Sequence, residues 1–171
     1  MRPDLSLRGA FSLLWTGAVV VIAVLSVATS SRAAGPPVAS ATATLNIIAG
    51  DVKVVPPEGG PARAAKDGMN LAVGAHVVTG QKSTALVTFL DGSTLTVQPD
   101  SDATVKQADL SKKQSTVRIK VNLGTVWARV AKLVDSGSSF SLESNSATAT
   151  VHDGLIGARQ EADGTFTCWT R

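Results

Sequence analysis

A chain of 171 residues has room for one domain and a targeting segment. With 44% apolar and 17% charged residues it is no disordered tail, and with 4% aromatics and no tyrosine its core must come from Val, Leu, Ile and Ala. The net charge of +3 does not mark a nucleic-acid binder. Arg2, Arg8 and Arg32 face only Asp4 in the leader, and beyond residue 34 the 16 basic and 13 acidic side chains of the whole chain fall to a near-balanced 13 and 12.

The N-terminal segment starts basic, runs uncharged from Gly9 to Ser31 and leaves through the small residues around Ala33-Ala34. This is the order of a secretory signal peptide over residues 1–34, cleaved near Ala33 or Ala34. The other reading is an uncleaved anchor over about residues 9–31, since a helix of about 20 residues crosses a bilayer core. Cleavage is favoured because Ser12, Thr16, Gly17 and Ser26 dilute the apolar run. Both readings place the body outside the cytoplasm, periplasmic or secreted in the first case and anchored to the inner membrane in the second. No cysteine follows the apolar run and no Arg-Arg pair precedes it, so neither lipidation nor a twin-arginine signal is expected. Residues 35–44, rich in Ala, Ser, Thr and Pro, read as a linker.

From Leu45 the dominant period is two, that of half-buried strands. Ala85, Val87 and Phe89 share one face, and Asp91-Gly92 reads as a two-residue hairpin turn. The chain resumes with Leu95 and Val97 inward and stops at Pro99, which cannot donate to a ladder. Further on, Val117, Ile119, Val121 and Leu123 alternate with Arg118, Lys120 and Asn122. Gly124 interrupts them before Val126, Ala128 and Val130 continue. Phe140 with Leu142, and Ala147 with Ala149 and Val151, read as two more short strands. No helical apolar period spans three turns of the body. The expected fold is all-β, a twisted β-sandwich or short β-roll or solenoid-like domain of many short strands over 45–171, preceded by one N-terminal hydrophobic helix.

The ordered series Asp67-Gly68, Leu71, Gly74, Val77, Thr79-Gly80, Ser83, Ala85, Val87, Phe89, Asp91-Gly92-Ser93, Leu95, Val97, Pro99, Ser101, Ala103 and Val105 resembles the core pattern of the FecR domain. Gly50-x-Val52-x-Val54 is similar to the family's opening strand, and Leu123-Gly124-x-Val126-x-Ala128-x-Val130 to a later one. The resemblance implies an exported bacterial domain whose turn motif includes Gly74, Gly80, Asp91, Gly92 and Ser93. The family's best-known members relay iron-siderophore occupancy from an outer-membrane transporter to a cytoplasmic sigma factor. The chain departs from them in its short stretch before Gly9, in its stop at Thr170-Arg171 and at His152-Asp153-Gly154, where the family usually carries an Arg-Gly-Thr step. The domain and the compartment are therefore carried over, and the signalling role is not.

No catalytic set is expected. His76 and His152 lack metal-ligand spacing, and the lone Cys168 can pair only between chains or stay idle, the second being favoured. Ser83, His76 and Asp91 form a chance triad, since Asp91 is explained by its turn. Asp100 and Asp102, two apart on an expected strand, would share a face and with Asp91 loosely suit Ca²⁺, although turn chemistry after Pro99 explains them better. The candidate recognition surface is Trp127 together with Arg118, Lys120, Lys112 and Lys113, although protection of a sheet edge is the default reading of the basic residues and capping the second side of a sandwich an equal one for Trp127. The expected function is non-enzymatic binding or scaffolding of an envelope protein or polymer. It needs no cofactor and no nucleic acid, and it meets the membrane only through the N-terminal segment. A truncated or repurposed transmembrane sensor is the alternative, followed by an envelope hydrolase.

Overall fold

A computed structural model describes residues 42–111, 114–131 and 137–171. The leader, its expected helix and the linker up to residue 41 lie outside the described residues, as do Lys112 and Lys113. No helix among the described residues is long and apolar enough to cross a membrane. Those residues form strands and turns only: β1 (Ala43–Ala49), β2 (Val52–Val55), β3 (Arg63–Ala64), β4 (Met69–Leu71), β5 (His76–Thr79), β6 (Thr84–Phe89), β7 (Thr94–Val97), β8 (Asp102–Leu110), β9 (Ser115–Val130), β10 (Ser139–Glu143), β11 (Thr148–Val151), β12 (Gly154–Gln160) and β13 (Phe166–Thr170).

All of them belong to one strongly curled sheet with two arms. One arm runs β4-β1-β6-β7-β9-β12-β13 and the other β3-β2-β5-β8-β9-β10-β11. The long strand β9 belongs to both. Its Ser115–Leu123 half pairs with β8 and β10, and its Gly124–Val130 half pairs with β7 and β12. Neighbours are antiparallel except β9 and β10, which are parallel. The all-β expectation holds, and the sheet closes into a half-barrel around one apolar core.

The core sits between the arms and is made of alternate residues, as the period of two requires. Ala85, Val87 and Phe89 of β6 and Leu95 and Val97 of β7 are buried. They meet Ile119, Phe140 and Leu142 from the other arm in one apolar cluster. Phe89 and Phe140 touch edge to face across it, with centroids 5.8 Å apart.

On β9 the alternation changes phase. Val117, Ile119 and Val121 are buried, and so are Val126, Ala128 and Val130, but the two sets have opposite parity. Leu123, expected to share the inward face, is 44% exposed. The cause is local. The β8–β9 ladder shifts register between Val121 and Leu123, so Asn122 is an extra residue and the side chains from Leu123 onward change sides, with Gly124 following at φ +82°.

The chain crosses between arms at neighbouring corners, and two of them share one construction. At the first, Lys82 has φ +57° and Ser83 follows; Ser83 Oγ accepts the Asp51 N–H at 2.8 Å and donates to Gln81 O at 3.2 Å. At the second, Asp100 has φ +52° and Ser101 follows; Ser101 Oγ accepts the Thr125 N–H at 2.9 Å, with Pro99 O at 3.0 Å. Each serine lies against a left-handed glycine, Gly50 or Gly124, on which a Cβ would overlap the hydroxyl. Gly80 links the two corners, since its carbonyl accepts from both Ser83 N and Asp100 N at 3.2 Å. Asp100 is therefore a corner residue, not a strand neighbour of Asp102, and the expected shared carboxylate face does not form.

The β6–β7 connection also differs from expectation. Phe89 and Ser93 close the hairpin, with Gly92 N–H donating to Phe89 O at 3.0 Å and Phe89 N–H to Ser93 O at 2.9 Å. The loop thus has three residues, with Gly92 at φ +85° as the bulge, a common solution to Asp-Gly in a hairpin. Asp91 accepts the Ser93 N–H at 2.9 Å and the Ser115 hydroxyl at 2.7 Å, which ties this hairpin to the opposite arm. Ala147 lies before β11, whose inward residues are Ala149 and Val151.

Replacing Gly124 by Ala forces a left-handed alanine and sets its Cβ 2.6 Å from Asp100 O. We expect a loss of about 3 kcal/mol or more in urea unfolding, or no folded product. Gly164→Ala is the control, because φ is +95° there but nothing lies within 4 Å of the added carbon. It should lose only about 1 kcal/mol.

Candidate functional site

The outward face of the β4-to-β13 arm carries an aromatic pair built by register. Trp127 on β9 lies opposite Thr96 on one side and Gly157 on the other, and Gly157 in turn lies opposite Trp169 on β13. A Cβ on Gly157 would come 2.8 Å from Trp169 Cζ2 and overlap the indole nitrogen. The glycine therefore lets the Trp169 ring fold across β12, an aromatic covering a strand glycine. There it meets Trp127 edge to face, with centroids 5.2 Å apart and planes at 74°. Such a pair gains something beyond area burial and fixes the orientation of both rings. Trp127, expected to stand exposed, is half-buried because Trp169 covers part of it.

Beside this pair, at the corner end of the arm, lies an open groove of about 520 Å³. Its walls come from the Gln98–Asp100 corner, from Leu123, Gly124, Thr125 and Trp127 of β9, and from the end of β12 through Ala162. Arg159 Nε sits 2.6 Å from Glu161 Oε1, so the two charges cancel locally. Gln160 is buried, its Nε2 donating to Glu161 O at 3.1 Å, and its Oε1 has no partner among the described residues.

The other expected surface residues do not join Trp127. Arg118 and Lys120 face outward on the other half of β9, beyond the Gly124 corner, and Arg118 Nε faces Glu143 Oε2 at 3.7 Å. The expected turn residues sit in turns or in the strand-end contacts around them. Gly74, at φ +90°, donates to Val105 O at 2.6 Å, and Ser93 Oγ accepts the Ala131 N–H at 3.1 Å.

The triad candidates have separate structural partners. Ser83 holds Asp51, Asp91 holds Ser93 and Ser115, and His76 Nδ1 faces Asp102 at 3.6 Å. Among the described residues no group of three or more His, Cys, Asp or Glu side chains is close enough to share a metal ion. Cys168 is exposed on β13, and partial shielding of its sulfur pushes the thiol pKa up, which holds it in the less reactive form. The Asp163 carboxylate accepts the Thr165 N–H at 2.8 Å, and that bond lowers its pKa.

Residues 75–169 match the family model described as FecR protein, more than half of the chain. The chain belongs to the FecR family. That family is regulatory and is not known for enzymes. The matched FecR segment contains both tryptophans, Gly157 and every residue of the groove, while β1 to β4 precede it and pair into the same sheet. No curated protein and no solved structure matches the chain.

Trp169 and Gly157 are missing from the sequence-derived surface, because only the register of β9, β12 and β13 brings them together with Trp127. A local signal exists in Gly157, a glycine interrupting an otherwise strand-forming run. Gly157→Ala should leave far-ultraviolet circular dichroism intact, because the obstructing group is the end of a side chain. The near-ultraviolet signal of the paired indoles should collapse as Trp169 swings away. An unchanged near-ultraviolet spectrum would mean that the pair does not form.

Proposed function

We propose that this FecR-family chain is a non-enzymatic module of the bacterial envelope that binds or scaffolds an envelope polymer or protein. In this reading residues 1–34 export it, the segment between them and β1 is a linker, and the sheet that starts at Ala43, two residues before the expected boundary, does the binding. The carrying observation is the Trp127–Trp169 pair on the outward face. Two large rings there add nothing to the core between the arms, and a groove opens beside them. Amphipathic aromatics held rigid on a surface lose little entropy when a ligand covers them, the usual property of recognition residues.

A hydrolase is the weaker reading, because Ser83, His76 and Asp91 are each engaged elsewhere in the fold. The retained FecR segment supports the envelope location through the habits of the family.

The test is co-sedimentation of the purified full chain with isolated bacterial envelopes. The chain should pellet with them, and Trp127→Ala should reduce the bound fraction roughly ten-fold at limiting envelope. A chain that stays in the supernatant, or a variant that pellets equally well, refutes the binding role of this face.

A further inference from the structure

Four strands end the sheet, β3, β4, β11 and β13, and a free strand edge is a template for another chain unless it is short, charged or broken. β3 has two residues, one of them Arg63, and β4 has three, shortly after Lys66 and Asp67. β11 has four, and the bond from Ser144 N–H to Ala147 O fixes its parity, so only Thr148 and Thr150 turn backbone groups outward. β13 is the longest, Phe166–Thr170, with no charge, proline or bulge.

Hydrogen bonds at both ends of β13 fix its parity as well. Glu161 N–H donates to Thr165 O at 2.9 Å and Arg171 N–H to Leu155 O at 3.0 Å, so the odd-numbered residues face β12. The N–H and C=O of Phe166, Cys168 and Thr170 therefore point to the free edge, and β12 is the strand's only partner among the described residues.

What fits that edge is its own sequence. In an antiparallel pair of identical strands centred on Cys168, Phe166 lies opposite Thr170 of the second copy and Thr167 opposite Trp169 of the second copy. Each aromatic meets a β-branched residue, a favourable cross-strand pair, and only the small Cys168 meets itself. The outward residues of each copy donate and accept one bond each, so the edge closes with about six cross-copy hydrogen bonds. On the core side Phe166 already packs on the apolar cluster, whereas Cys168 and Thr170 are exposed and gain cover from a second strand. On the outward side Trp169 leans away from the edge across Gly157, which leaves room for Thr167 of the second copy. Charge agrees with this register. Arg171 falls opposite Thr165 of the second copy, a diagonal step from Asp163, and neither Arg171 nor Asp163 makes an ion pair among the described residues.

We propose that two copies of this chain dimerise by antiparallel pairing of their β13 edges, in register about Cys168. The two-fold axis stands perpendicular to the sheet, so both Trp127–Trp169 pairs lie on one continuous outward face. Dimerisation does not depend on what that face binds.

Sedimentation velocity of the purified full chain over a concentration series tests this pairing, with Cys168, the chain's single cysteine, as the reporter of register. A dimer is expected to grow with concentration, and a short bis-maleimide should join two copies through Cys168 in the native protein and not in urea. Cys168→Lys sets two like charges face to face at the axis and should raise the dissociation constant roughly ten-fold or more. Its circular dichroism and urea midpoint should hold, because the position is exposed. Arg171→Asp should weaken the dimer roughly five-fold, since the charge pair occurs twice, and adding Asp163→Arg should restore it. A chain that stays monomeric throughout the series, a dimer that Cys168→Lys leaves intact, or one that the bis-maleimide does not link overturns the proposal. Failure of the charge swap to restore the dimer rules out pairing about Cys168 and overturns it as well.

Discussion

One strand serves two arms, and the fold follows from how that strand turns its corner. β9 must bury odd-numbered residues in its first half and even-numbered ones in its second. A strand cannot change parity without an extra residue, and the register places it at Asn122, between Val121 opposite Ala103 and Leu123 opposite Asp102. Gly124 follows at φ +82°, where no side chain fits because Asp100 O lies 2.6 Å from any added Cβ. Ser101 completes the corner by taking the Thr125 N–H that the broken ladder leaves over. The same construction recurs at Gly50 and Ser83, and Gly80 joins the two. Each serine hydroxyl satisfies a backbone group whose loss would cost about 1–3 kcal/mol. A buried leucine truncated to alanine costs about 2–5 kcal/mol. The serines thus add less stability than the core, but they decide where the chain bends.

That geometry also explains which features were readable in one dimension. The pattern in β6 and β7 was legible because each strand keeps one parity from end to end. Leu123 leaves the expected inward face because the extra residue, Asn122, comes just before it and nothing in the alternation marks it. The Asp91-Gly92 turn was legible as a hairpin but not in its length, since Asp-Gly suits both two- and three-residue loops and the Asp91–Ser115 bond lies between distant segments. Asp100 looks like a strand residue until its left-handed backbone is seen.

The surface shows the same division. Trp127 stood out as an aromatic on the outward side of an alternating strand, a local property. Trp169, its partner, is far away in sequence and becomes a neighbour only through Gly157. Arg118 and Lys120 share a strand with Trp127, yet the corner places them on the other arm. The groove exists because the corner displaces Leu123 outward and brings the end of β12 beside it. The corner and the proposed recognition surface therefore meet at Gly124: the device that bends the sheet also borders the cleft beside the indole pair.

Backbone amide hydrogen exchange at the corners tests this most directly. Asp51 is an exposed residue, yet its N–H is held by Ser83 Oγ at 2.8 Å, and the Thr125 N–H by Ser101 Oγ at 2.9 Å. If the corners hold the arms together, both amides exchange only through global unfolding, as slowly as those of Val87 and Ile119 in the core strands. Exchange of Asp51 and Thr125 at the rate of the open turn at Gly164, with the core still protected, would contradict it.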